Sequence, residues 1–403
     1  MKHGSTSGST RCRDRQLSRR QLLQLGGASA FGLAALTSGI ASGAGSSIRP
    51  SRSGDQREIW FSAQGSNTSE YSLSWLTNGE QPVTALSGFR GHGAASDPVN
   101  PQRLVMFARR PGWQGILIDV TDTRQVRTFD AAPGCFMHGH GCFSADGQWL
   151  YSTESEIESG IGKVVVRNSH TLAVEQMFDS AGIGPHDIAR MPDGQRLVVA
   201  NGGLLTHPDT GRKVLNLASM QSNLTYLDIN TGTVMEQLTL PYQKASIRHL
   251  DVAPDGTVAV ATQVQREAMT DNELVPLAAL HRPGSGSHEL LSLDSPDGLM
   301  TRFNDYMGSV RINPATGLAG FTSPRGNLAA FWDIHSGELA GYHAFFDVCG
   351  LTVSADQQRF VLSNSAGEIR QLDARTLKER TPLRQRFDGL HWDNHLFTVA
   401  LPG

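Results

Sequence analysis

Runs of Glu, Lys and Ala that would favour long helices are scarce in the 403 residues, which argues against a helical architecture. No apolar stretch beyond residues 22–41 is long enough to cross a bilayer. The chain carries no CxxCH haem motif, no Walker loop and no dinucleotide-binding fingerprint. Its Gly284-Ser285-Gly286 segment is a low-complexity loop without the strand–turn–helix setting of a nucleophile elbow. Basic charge is not in excess either, since the formal net charge is −3. Cysteine is limited to four residues, Cys12, Cys135, Cys142 and Cys349.

The first fifty residues read as a targeting segment. Lys2, Arg11, Arg13, Arg15, Arg19 and Arg20 precede a weakly hydrophobic, Gly- and Ala-rich run. Ser18-Arg19-Arg20-Gln21-Leu22-Leu23 matches the twin-arginine export signal. The expected division is a twin-arginine signal peptide over 1–45, a flexible linker over 46–56 and one folded domain over 57–403. No Cys follows the apolar run, so a lipoprotein anchor is not expected. Loss of the signal removes six positive charges and one negative charge, taking the net charge from −3 to −8. An acidic protein exported to the periplasm is a poor nucleic-acid ligand. Cys12 leaves with the signal; of the three that remain, Cys135 and Cys142 are the simplest disulfide pair.

Gly is abundant, at 43 residues, and Asp-Gly and Thr-Gly turns recur. An apolar strand running into an Asp/Asn/Thr/Gly turn appears seven times, at 73–79, 117–122, 165–169, 226–232, 291–298, 331–337 and 371–376. Between these lie strands joined by Pro/Ala-Asp-Gly turns, as at Ala145-Asp146-Gly147, Pro192-Asp193-Gly194 and Pro254-Asp255-Gly256. Each unit is about four short antiparallel strands, which cannot bury both faces alone. Stacked radially, seven units make an all-β, seven-bladed β-propeller. Strands near residues 58–63 and 391–400 are expected to close the ring in one blade. Two polar insertions, 202–223 and 265–289, are expected as loops on a face.

Histidine falls at one phase of this repeat. His92, His138, His140, His186, His249 and His391 each lie in or just before the strand entering an Asp-Gly turn. In a propeller that is the innermost strand, so radial symmetry would bring these imidazoles to one axis. Ser309 and Cys349 occupy the matching positions of the other two blades. Neutral imidazole binds copper, zinc, iron or nickel. His92, His138, His140, His186, His249 and His391 are therefore the candidate metal ligands. Asp187, Asp251 and Asp393 are candidates to fix imidazole tautomers from behind. Arg248 and Arg311 are candidates for an anion at the channel mouth. Glu154, Glu156 and Glu158 read as a solvated acidic loop, and His170, His207, His281, His288, His335 and His343 as turn or surface residues.

The Arg-Arg start, Gly91-His92-Gly93, His138-Gly139-His140-Gly141, Gly184-Pro185-His186-Asp187 and Arg248-His249-Leu250-Asp251 together resemble a domain-of-unknown-function family. Its members are bacterial periplasmic propellers grouped with YVTN/WD40-like repeats, and the resemblance spans about 57–400. Genes of that family often neighbour imelysin-like iron-uptake lipoproteins and a di-haem oxidoreductase-like protein. The resemblance implies a role in periplasmic iron or copper handling, with an imelysin-type protein as partner. The hub histidines are also similar in concept to nitrous oxide reductase, whose cupredoxin domain and second copper site this chain lacks. A metal-dependent oxidoreductase, a lactonase-type hydrolase and a pure interaction scaffold are the competing readings. Lactonase hubs favour oxygen ligands for calcium, whereas this hub is rich in imidazole.

Overall fold

A computed structural model describes residues 57–65, 71–77 and 80–401. The expected signal peptide and linker lie outside the described residues. The described chain forms seven four-stranded antiparallel sheets arranged as a β-propeller. Numbered in chain order, blades 2 to 7 span 91–130, 135–183, 185–239, 245–293, 310–344 and 348–386. Blade 1 takes its inner strand from the end of the chain: Phe397–Leu401 pairs with Arg57–Gln64, placing Phe61 opposite Phe397 and Ile59 opposite Val399. The ring thus closes at the two ends expected from the sequence.

Burial explains the hydropathy of each strand. Second strands lie between neighbouring blades and are buried on both faces, as in Arg103–Ala108 and Arg359–Asn364. Such strands read as continuous apolar runs rather than as alternation. The outer strand Leu339–Ala344 instead alternates half-buried and exposed positions. Apolar side chains fill the clefts between blades: Phe61 and Trp75 of blade 1 cluster with Leu104, Met106 and Ile116 of blade 2.

The recurring Asp has a structural cause. The Asp228 carboxylate accepts from the backbone N–H groups of Asn230 (3.0 Å) and Thr231 (2.8 Å). Asp333 does the same for His335 and Ser336 (2.8 and 2.9 Å), and Asp373 for Arg375 and Thr376 (3.1 and 3.0 Å). The side chain imitates a backbone acceptor and closes the hairpin.

Away from the hub, the structure departs from the sequence reading in four places. The fifth repeat copy lies on the outer strand Leu291–Leu293 and runs into a short helix, Asp297–Arg302. The third strand of blade 5 is Ala278–His281, inside the 265–289 segment expected as a loop. His281 is consequently buried and lies 2.6 Å from the Tyr226 hydroxyl. Glu154 is also buried, pairing with Arg167 at 2.7 Å and accepting from the Ala132 N–H at 2.8 Å. All three described cysteines are free. Cys135 and Cys142 sit on one extended strand, Cys135–Phe143. At ~3.3 Å per residue their Cα atoms lie far beyond the ~7 Å limit for a disulfide.

Candidate metal centre

The histidine level of the hub coincides with irregular backbone. Pairing between inner and second strand slips between Gly91 and Ala94, Met137 and Gly141, Pro185 and Asp187, Ile247 and His249, and Val348 and Gly350. A bulge leaves a residue out of the ladder and re-aims its side chain. The slipped segments hold His92, His138, His140 and His186, Arg248 just before His249, and Cys349. Two glycines make room for this crowding. A Cβ on Gly93 would sit 2.5 Å from His140 Nδ1, and one on Gly139 would sit 2.7 Å from His92 Cδ2. Gly139 also has φ +107°, a conformation that side chains with a Cβ disfavour.

Four imidazoles from four successive blades, His92, His140, His186 and His249, form one buried group that could hold a metal ion. One ligand atom from each lies within 4.8 Å of all the others. The His92 and His186 Nε2 atoms are 3.4 Å apart, and those of His186 and His249 are 3.1 Å apart. A tetrahedron with metal–nitrogen bonds of ~2.0–2.1 Å has edges of about 3.3–3.4 Å. The two observed separations are close to such ligand–ligand edges, and all four ligand atoms lie within 4.8 Å of one another.

Neighbouring groups orient the rings. His140 Nδ1 lies 3.2 Å from Asp187 Oδ1. An ionised carboxylate only accepts, so it holds the proton on Nδ1 and leaves the His140 Nε2 lone pair free. That Nε2 is buried and has no protein partner. Asp187 is fixed in turn by the backbone N–H groups of Ile188 (2.8 Å) and Leu250 (3.1 Å). Burial would raise its pKa, but His140 and these N–H groups outweigh burial and hold it below the usual 3.8. The Asn394 amide contacts His92 Nδ1 at 3.1 Å.

Burial, joined by neighbouring imidazole and guanidinium charge, pushes His92, His186 and His249 well below the ordinary value of 6.5. These rings are therefore neutral near pH 7, the form that ligates metals. His395 shares this shift for the same first reason, burial.

The predicted residues divide as follows. His92, His140, His186 and His249 meet at the axis. His138 is buried one step along the same strand, where its Nε2 lies 2.8 Å from Ser155 Oγ rather than in the four-histidine group. His391 is exposed, with Nδ1 2.9 Å from the Ser365 carbonyl. The sequence reading placed it at the hub on the phase of the repeat, with His395 of the same pair as a possible second ligand; in the folded ring the blade-1 inner strand begins only at Phe397. His395 takes the hub position instead, with its ring 4.4 Å from that of His249 and 4.8 Å from that of His92. Ser309, the blade-6 counterpart, lies 2.7 Å from His395 Nδ1. The Ser309 hydroxyl donates to the Asn394 carbonyl (3.0 Å) and so accepts from Nδ1. The spacing His391-Trp392-Asp393-Asn394-His395 held this signal, but only the register of the closing strand separates the two histidines.

Asp251 and Asp393 do not contact the hub rings. Asp251 accepts from the Ile312 N–H (2.7 Å) and faces Arg311 (3.4 Å), joining blades 5 and 6. Asp393 forms a two-pronged pair with Arg90 at 2.6 and 2.9 Å. Arg311 is thus neutralised by Asp251, whereas Arg248 is not paired with any described carboxylate.

Two chambers lie against the imidazoles. Asp187, Asp251, Arg311 and Phe397 line one of about 100 Å³, together with His140 and His395. Arginines line the other, of about 220 Å³, with His92, His138 and His186. His249 belongs to both. Along its strand Arg248 faces the second chamber and Asp251 the first.

Fold and site together define a seven-bladed β-propeller with a buried imidazole hub. The chain belongs to the family described as "Protein of unknown function (DUF1513)", whose profile matches residues 86–399. That span runs from the last strand of blade 1 round the ring to its closing strand. Comparison with curated proteins returns no match. Among solved structures the chain is similar to Kuenenia stuttgartiensis Hydrazine Synthase, with a TM-score of 0.56 and 13% identity over 73% of this chain and 86% of that one. At that identity the likeness is one of fold.

Proposed function

We propose that this protein is a periplasmic, transition-metal-binding propeller that serves iron or copper acquisition or handling. The observation that carries the reading is the convergence of four buried imidazoles, with Nε2 atoms 3.1 and 3.4 Å apart and a carboxylate behind one of them. An all-nitrogen set of neutral donors favours copper, iron, nickel or zinc over calcium or magnesium. Resemblance to periplasmic propellers encoded beside imelysin-like genes narrows the choice to iron or copper and supplies the partner class. The twin-arginine pattern supports export.

Elemental analysis and electron paramagnetic resonance of protein exported by its native host test the reading. One iron or copper ion per chain is expected, with nitrogen hyperfine structure if it is Cu(II). A His186→Ala, His249→Ala double variant should lose that metal while keeping its β-sheet circular dichroism. Unchanged stoichiometry in the folded double variant, or failure of the wild type to take up either metal, sinks the proposal.

A further inference from the structure

The larger chamber carries a concentration of positive charge that metal ligation by histidine does not explain. Arg109 and Arg110 reach it from the end of the second strand of blade 2, Arg248 from the inner strand of blade 5, Arg212 from the 202–223 loop and Arg325 from blade 6. Arg110 and Arg248 are only 8% and 6% exposed. No Asp or Glu is among the described residues lining the chamber. Elsewhere, enclosed arginines meet carboxylates: Arg103 pairs with Asp97 at 2.6 Å and Arg167 with Glu154 at 2.7 Å. Among the described residues, the side chains of Arg110, Arg212 and Arg248 have neither a carboxylate partner nor a hydrogen bond, and of carboxylates Arg109 feels only the charge of Asp393, which Arg90 already pairs. Arg325 stacks over Tyr306, which also lines the chamber.

Guanidinium stays protonated in proteins, so these charges are not relieved by loss of a proton. Enclosing like charges without counter-charge is unfavourable and is tolerated where a ligand supplies that charge. Burial, followed by mutual repulsion with Arg248, Arg212 and Arg109, disfavours the charged form of Arg110, a sign of the same unmet demand. The guanidinium fork pairs in two-pronged fashion with carboxylate or phosphate. Three guanidinia inside and two at the rim exceed what one singly charged ion can neutralise. The space, about 220 Å³, is several times the ~30 Å³ that one water takes in the liquid.

We propose that this chamber is a binding site for a small multivalent oxyanion, a molecule carrying two or more carboxylate or phosphate groups. The site shares His92, His186 and His249 with the four-histidine group, but the arginines rather than the imidazoles carry the anion assignment.

Isothermal titration of the purified protein with citrate and with pyrophosphate, in metal-free and metal-loaded forms, tests it and separates the two chemistries. At least one of the two probes should bind at one site per chain, more weakly as salt rises. Arg110→Gln and Arg248→Gln should each weaken that binding about tenfold or more, while Arg370→Gln, on a distant ion pair, should not. Arg248→Lys keeps the charge and removes the fork; it should fold as the wild type does, by thermal melting, and still bind several-fold more weakly. Retention of anion binding by the metal-free wild-type protein keeps this site distinct from the metal reading. Absence of binding by both probes in both forms overturns the proposal. So does binding that is indifferent to Arg110→Gln, Arg248→Gln and Arg248→Lys.

Discussion

A single carboxylate, Asp187, links the hub chemistry to the framework. It accepts from His140 on one side and from two backbone N–H groups on the other, so its removal should loosen a ligand without opening the core. Asp187→Asn is expected to lower metal affinity by about 10- to 100-fold with little change in melting temperature of the metal-free protein; competition against a chromogenic chelator measures it. The hub histidines also make stability depend on pH. His92, His138, His186, His249 and His395 are held well below 6.5 in the folded protein, first by burial, and return to about 6.5 on unfolding. Below that value the unfolded chain binds more protons than the folded one, so stability falls as pH falls. Stability is fully present above 6.5 and is lost progressively below it. Melting curves of metal-free protein should be flat above about pH 7 and drop steadily toward pH 5, with a shallower drop for His249→Gln. A melting temperature constant to pH 5 contradicts the buried neutral cluster. Histidine phase in the repeat was readable from residue spacing. The choice between His391 and His395 was not, because it depends on where the closing strand begins, at Phe397, which leaves His391 exposed and His395 buried.

Among the elements, the closing strand Phe397–Leu401 is the most exacting, since it joins chain ends more than 300 residues apart. Val399 is buried opposite Ile59. Val399→Asp should cost roughly 2–4 kcal/mol through an unpaired buried charge, whereas Leu291→Asp, on an exposed outer strand, should change stability by no more than about 0.5 kcal/mol. Urea unfolding followed by tryptophan fluorescence distinguishes them, and equal effects would contradict the closure. Turn signals located the hairpins well because the same Asp side chain that marks the turn also bonds its backbone. Blade 5 escaped that logic. Its third strand, Ala278–His281, lies within a polar segment and holds its place by sheet neighbours rather than by a local turn motif. The bulges at the hub were not legible either, since an extra residue in a ladder exists only relative to the partner strand.

At the scale of the whole molecule, the ring leaves its three described thiols unjoined, with Cys135 and Cys349 buried and Cys142 half-buried. Burial pushes Cys135 and Cys142 up to about 11 and about 12, and raises Cys349 further. They should resist a disulfide-forming thiol reagent near neutral pH while folded. In denaturant without reductant, protein starting at residue 46 should release three equivalents of chromophore. One equivalent would mean a disulfide and a different packing of blade 3. The sequence alone determined the all-β character, the number of blades and the ends that close the ring, because strand periodicity and turn chemistry are local and repeat along the chain. Tertiary structure alone decided which imidazoles share the axis, that Arg311 is neutralised while Arg248 is not, and that arginines from four blades surround one chamber. Those facts depend on distances between residues 50 to 300 positions apart, which are set by radial packing of the blades and by the bulges that aim each inner strand.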